Sequence, residues 1–268
     1  MDKYDVFIIA GQSNAEGSGY GPVTEEFCPD PRILFLNVSN TATVVNNRVE
    51  VEYHDAPFSI DIADERDWEL GGEVVRRGDL SLTFAQEYIR AGLLAPDRKI
   101  LIVRAAIGGT SFQSHHWGME DLLYLKMVEM VDYALSLNPE NQLKGLLWHQ
   151  GENDACEGNT EEQYYSQLTM LINSVKERYQ CPKLPFICAD FVYEWRIKLT
   201  CCSPIEQAQR RVAEAMRGEY LETDDLASNN AHAHNGDDVH YSRESLHILG
   251  RRYFAAYDQI CKAISERG

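Results

Sequence analysis

The chain has 268 residues, with 25 Lys plus Arg against 42 Asp plus Glu and a formal net charge of −17. That length can bury a sizeable core, and the acidic balance argues against nucleic acid or an anionic membrane as the main partner. No apolar run approaches the ~18 residues of a membrane span, and residues 1–10 lack the basic start and long apolar core of a signal peptide. The chain therefore reads as soluble and cytoplasmic, or as a secreted form already trimmed of its leader.

In chain order, the first apolar run is VFIIA at residues 6–10, too short for a helix and predicted to be a buried strand. It breaks at Gly11-Gln12-Ser13-Asn14. A serine there stands at the lip of the crevice where open parallel sheets bind ligands. Two readings of Ser13 stand side by side: a nucleophile backed by free helix N–H groups, or a plain helix N-cap. A Gly/Pro-rich loop over 17–31 leads to a second strand at 33–36. Alternation over 43–53 around Asn46-Asn47 predicts a β-hairpin. Residues 56–78 are acidic and aperiodic, and read as a long surface excursion, part of a substrate rim. Helical spacing of Leu82, Phe84, Ala85, Tyr88 and Ile89 predicts a helix over 80–94, then a strand at 99–103 and a glycine turn and loop over 105–117. A helix over 121–137, a strand at 144–148, a polar loop over 149–158, a helix over 161–178 and a strand at 184–189 follow. Ser203-Pro204 opens a helix to about residue 217, and 242–265 is the closing helix.

This alternation of strand, polar loop and helix, without repeats or a low-complexity linker, predicts an α/β fold in one domain over 1–268. A parallel sheet lies at its centre with helices on both faces. Seven cysteines (28, 156, 181, 188, 201, 202, 261) are odd in number and irregularly spaced, so they read as reduced thiols and not as a disulfide framework or zinc site. Cys201-Cys202 has no basic neighbourhood and reads as inert.

Four polar loops then fall at one edge of the sheet. The first carries Ser13. The second is Ile107-Gly108-Gly109-Thr110-Ser111, where paired glycines allow close backbone approach and can aim N–H groups inward. The third, Trp148-His149-Gln150-Gly151-Glu152-Asn153-Asp154, puts a run of polar residues at a strand end, which packing does not explain. The fourth is Asp237-Asp238-Val239-His240. Asp-x-x-His is local enough for the carboxylate to hold Nδ1–H, leaving the imidazole free to take a serine proton. Alone, the same pair is a helix-start acid beside an exposed histidine. With Ser13 in the same crevice it completes a nucleophile, a base and an orienter.

On IIAGQSNAEG, RAAIGGTSFQSHHW, LLWHQGENDA, and DDVHYS followed by LGRRYFAAY, the sequence resembles the SGNH hydrolase superfamily. More narrowly, it resembles the sialate O-acetylesterase domain and the related acetylxylan esterases. The motifs span nearly the whole chain in the family's order. The resemblance implies a flavodoxin-like three-layer α/β/α fold, with Ser13 as nucleophile, His240 as base and Asp237 as its partner. It implies an oxyanion hole from the N–H groups of Ser13 and Gly109, with Gln150 as a third donor. Glu152 is then an acid that either orients His240 in place of Asp237 or supports its loop. The expected activity is hydrolysis of O-acetyl esters on a small-molecule or oligosaccharide substrate through an acetyl-enzyme, with no cofactor. The other class considered is a non-catalytic carbohydrate-binding or scaffold protein, against which the intact Ser, His and Asp argue.

Several residues invite other assignments. His232, His234, Asp237 and His240 could be drawn as a metal set, but no second His or Cys set has zinc spacing, so no metal is expected. His115, His116 and Trp117 either wall the acyl or sugar site or pack over the sheet edge. Trp148 reads as core. Arg210-Arg211 and Arg251-Arg252 read as solvated helix faces.

Overall fold

The computed structural model describes residues 2–46 and 48–266. The first half of the chain forms β1 (Lys3–Gly11), α1 (Ser13–Glu16), β2 (Ile33–Asn37), β3 (Asn40–Val45), β4 (Arg48–Tyr53), β5 (Ser59–Ile62), β6 (Arg66–Leu70), β7 (Glu73–Arg77), α2 (Leu80–Arg90), β8 (Arg98–Ala106) and α3 (Leu122–Ser136). The second half forms β9 (Gln142–His149), α4 (Glu152–Glu157), α5 (Glu161–Arg178), β10 (Phe186–Ala189), α6 (Tyr193–Arg196), α7 (Cys202–Met216), β11 (Glu219–Leu221), α8 (Asn230–Ala233) and α9 (Arg243–Glu266).

Seven strands make one sheet in the order β11-β10-β9-β1-β8-β2-β5. All neighbours run parallel except β5, which closes one edge antiparallel to β2. The continuous apolar run of β1 has its reason here, because a central parallel strand is buried on both faces. Val6, Ile8 and Ala10 face one layer, with residues of α3, α5 and α7. Phe7 and Ile9 face the other, with residues of α2 and α9. The fold is three-layer α/β/α, as expected.

The chain leaves β1 for β2 and β8 on one side, then crosses to β9, β10 and β11 on the other. The carboxyl end of β1 is therefore the topological switch point, where an open sheet leaves a crevice between diverging loops. Gly11 makes the crevice floor. Its φ is +137°, and a Cβ on it would lie 2.0 Å from the His149 carbonyl oxygen at the end of β9. Only glycine lets the two strand ends meet, and Gln12 N–H then donates to that same carbonyl at 3.0 Å.

Two expectations need correction, and the structure adds one strand that the sequence analysis does not include. Residues 56–78 are not an irregular excursion. They carry the edge strand β5 and a separate hairpin, β6–β7. The polar loop after β9 winds into α4, because Gly151 at φ +142° turns the chain straight into a helix. The short strand β11 follows α7 with little apolar signal of its own. The β3–β4 hairpin forms as expected. Its turn includes Asn46, while Asn47 lies outside the described residues. All seven cysteines are free. Among the described residues no helix is long and apolar enough to cross a membrane.

Candidate active site

Ser13 is the first residue of α1, directly beyond the switch point. As the first helical residue, it has no intrahelical acceptor for its N–H. His240 reaches it from the loop before α9: Nε2 lies 2.9 Å from Ser13 Oγ. On the far side of the ring, Nδ1 lies 2.8 Å from Asp237 Oδ1. The carboxylate fixes Nδ1 as the protonated nitrogen, which leaves Nε2 as an acceptor facing the hydroxyl. Burial pushes the Asp237 carboxyl up, but the hydrogen bond and charge of His240, with the Asn229 amide, outweigh it and hold it below the usual carboxylate range.

Both ends of this chain of contacts are braced. Asn229 Nδ2 donates to Asp237 Oδ2 at 2.9 Å and to the Ser18 carbonyl at 3.1 Å, while its Oδ1 accepts from Tyr20 N–H at 3.0 Å. Asn14, the residue after the serine, grips both neighbours of the histidine. Its Nδ2 donates to the Val239 carbonyl (3.1 Å) and its Oδ1 accepts from Tyr241 N–H (3.1 Å). Two residues beyond Tyr241, the buried Arg243 opens α9 and pairs with the buried Glu65, which also accepts from His247 Nε2 at 2.6 Å.

The glycine turn lies against the serine. A Cβ on Gly108 would stand 3.4 Å from Ser13 Cβ. Gly108 N–H is taken by Glu16 Oε2 at 2.8 Å, so the carboxylate at the end of α1 pins the turn. The next residue, Gly109, has φ +75°, a left-handed conformation that favours glycine. Among the described residues no acceptor is recorded for its N–H.

Gln150 departs from its expected place as a third donor. It is fully buried, and its amide nitrogen donates to Asp154 Oδ2 at 2.6 Å and to the Thr110 carbonyl at 3.1 Å. An amide has two hydrogens, and both are committed. Gln150 thus braces the turn from behind. Asp154 extends the brace, accepting from the N–H groups of Phe112 and Gln113 at 3.1 Å each.

Glu152 is also buried, and desolvation raises its pKa. Its Oε1 accepts from Asn14 Nδ2 at 2.8 Å, and no hydrogen bond joins it to His240. Of the two roles expected for it, the contacts fit loop support. The alternative metal set does not assemble. His232 and His234 are exposed, and the acid group that does converge, Asp190, Glu222 and Asp224, is neutralised in part by Arg196. Trp117 and Trp148 are core residues whose rings meet edge to face at 5.2 Å. His116 is buried beneath the β3–β4 hairpin, and His115 is exposed. Arg210, Arg211 and Arg252 are on helix faces, each paired to acids.

Sequence reasoning missed Asn14, Glu16 and Asn229 as positioning groups. Asn14 stood in plain view within the serine motif. Asn229 lies in a stretch with no periodicity, and only the fold brings it to Asp237.

Residues 3–259 match the family model described as carbohydrate esterase, sialic acid-specific acetylesterase. The chain belongs to this family. Its members are carbohydrate esterases, and so carboxylic ester hydrolases. A probable carbohydrate esterase of Arabidopsis thaliana is 26% identical, over 68% of this chain and 66% of the relative. A probable 9-O-acetyl-N-acetylneuraminic acid deacetylase of Escherichia coli (strain K12) is 25% identical, over 73% of this chain and 69% of the relative. The chain thus spans about two thirds of the length of these curated relatives. The crystal structure of NanS shares the fold, with a TM-score of 0.68 at 17% identity over 98% of both chains.

Proposed function

We propose that this member of the family is a serine esterase that removes O-acetyl groups from carbohydrate, with residues 1–268 acting as a single domain. Ser13 is the nucleophile, His240 the general base and Asp237 the residue that orients it. The observation that carries this reading is the unbroken line of contacts from Asp237 Oδ1 through His240 to Ser13 Oγ, at 2.8 and 2.9 Å. Each contact is within the reach that base-assisted attack requires.

The steps follow from the positions. Ser13 Oγ attacks the acetyl carbonyl carbon while His240 Nε2 accepts its proton. Asp237 stabilises the imidazolium that results. The negative charge gathers on the former carbonyl oxygen, where the Ser13 and Gly109 N–H groups are the unspent donors. Gln150 holds the turn and does not donate. The imidazolium returns the proton to the leaving sugar oxygen, which leaves acetyl-Ser13. His240 then takes a proton from the water that attacks the acyl carbon, and as the bond to Oγ breaks the imidazolium returns that proton to Ser13 Oγ, releasing acetate.

Glu16 keeps Gly108 and Gly109 in register with the serine. Glu152 and Asn14 keep the serine and histidine segments together. The substrate is an acetylated sugar, free or in an oligosaccharide, in keeping with the family description and with the 9-O-acetyl-N-acetylneuraminic acid named for the Escherichia coli relative. The test is Ser13→Ala assayed for acetate released from a panel of acetylated sugars and from a chromogenic acetyl ester. Activity is expected to vanish with the far-UV spectrum and melting temperature unchanged. Turnover near that of the wild type removes Ser13 as nucleophile.

A further inference from the structure

Among the described residues the β3–β4 hairpin pairs with no other strand, and β3 is exposed at every position. Such a two-stranded unit is marginal alone, so what fastens it shows what it is for. Val51 and Tyr53 lean on the core of one layer. At the tip, the fastening is to the glycine turn itself. His116 Nδ1 accepts from Ser111 N–H at 3.1 Å, which places the ring proton on Nε2, and Nε2–H donates to the Val49 carbonyl at 2.8 Å. Both Ser111 and Gly109 belong to the loop after β8.

The Val49 side chain completes the contact. A Cβ on Gly109 would lie 2.5 Å from Val49 Cγ2, so a valine methyl occupies the space that any side chain at 109 would need. That methyl is adjacent to the turn whose N–H faces the developing oxyanion. An ester oxygen bound about 3 Å from that N–H has its acyl carbon one bond away and the acyl methyl one bond further. An acyl methyl that turns from there toward the Cβ side of Gly109 meets Val49, and a longer acyl chain on that path runs into the hairpin.

We propose that Val49, held by His116, is the wall that limits the acyl group to acetyl, and that the site discriminates among short-chain acyl esters through this one contact. The proposal rests on Ser13 as nucleophile and Gly109 as oxyanion donor. It adds a specificity-determining residue outside the four polar loops. It also explains why His116, buried and close to the site, takes no part in the proton transfers.

The experiment measures kcat/KM for p-nitrophenyl acetate, propionate and butyrate with the wild type, Val49→Ala and Val49→Ile. Ser13→Ala runs in parallel as the control for the underlying mechanism. One methylene in an apolar pocket is worth about tenfold or more in discrimination. Val49→Ala is therefore expected to raise the butyrate-to-acetate ratio by about tenfold, carried by kcat/KM for butyrate with acetate hydrolysis largely kept. Val49→Ile is expected to lower the propionate-to-acetate ratio. His116→Phe, which frees the hairpin, is expected to move the ratio in the direction of Val49→Ala. An unchanged ratio in a Val49→Ala enzyme that still hydrolyses acetate overturns the proposal. So does an equal change in kcat/KM for all three esters, which would put the hairpin on the alcohol side. Retained activity in Ser13→Ala strikes the mechanism instead and leaves a different signature.

Discussion

Asp237→Asn tests how the histidine is oriented, and the structure sets the size of the loss. The new amide has one oxygen and one nitrogen to place between His240 Nδ1 and Asn229 Nδ2. Asn229 cannot turn to help, because Tyr20 N–H holds its oxygen and the Ser18 carbonyl takes its other hydrogen. If the new nitrogen faces His240, the imidazole must carry its proton on Nε2 and loses its acceptor toward Ser13. That wrong tautomer costs about 10⁴-fold in kcat, or about 5 kcal/mol. If the new oxygen faces His240, two donors confront each other at Asn229 and the arrangement is penalised by about 1–3 kcal/mol. The productive form is then a minor population, and the smallest loss is about fivefold. The expected loss therefore lies between about fivefold and the roughly 10⁴-fold of an enzyme held in the wrong tautomer. The assay is kcat on a chromogenic acetyl ester, with circular dichroism and melting temperature showing that the fold persists. Asp238→Asn is the control, since Asp238 pairs with Lys198, and it is expected to act like the wild type. A loss of less than threefold for Asp237→Asn would refute the reasoning, and a crippled Glu152→Gln beside it would move the orienting role to Glu152.

Other outcomes follow from the same contacts. Glu16→Gln weakens the charge-assisted bond to Gly108 N–H and is expected to lower kcat by about tenfold with KM little changed, read from steady-state kinetics. Glu152→Gln is expected to keep activity within about tenfold while changing the pH dependence of stability. Burial raises the Glu152 pKa in the folded state, so its ionisation costs stability as pH climbs above the unfolded glutamate value of about 4.3. Glutamine has no such loss. The melting temperature of Glu152→Gln relative to the wild type should rise from mildly acidic to neutral pH, and a flat difference would contradict the assignment. Arg243→Met takes one guanidinium from the buried Glu65, which keeps Arg76 and His247, and is expected to lower stability measurably in denaturant unfolding. Treatment with a chelator should leave acetate release unchanged.

Much of this was legible in the sequence because the fold's central strands leave unmistakable apolar runs and its chemistry sits in the loops after them. The runs at β1, β8 and β9 marked the sheet, and the polar stretches that follow marked the crevice. Ser13, Asp237 and His240 were legible as candidates because two of them are three residues apart and the third follows just after the first strand. What failed to show has physical causes. Among the described residues the hairpin β6–β7 pairs only with itself, and it is mostly exposed and so carries no apolar alternation. The strand β11 is three residues long. Gln150 carried a polar signal for a site, yet its amide is spent on Asp154, four residues along, and on the Thr110 carbonyl, which only the fold brings to it. Val49 sits on a hairpin whose sequence gives no hint that its tip reaches Gly109.

The central claim is an acetyl group carried on Ser13, and one measurement meets it directly. The wild-type enzyme is mixed with an activated acetyl ester, quenched in acid within the first turnovers, digested and examined by mass spectrometry. The account predicts one added acetyl on the peptide that contains Ser13, absent from Ser13→Ala and lost when the wild type is chased in buffer before quenching. Continued turnover with no label on that peptide, or a label on another residue that disappears at the rate of turnover, would contradict it.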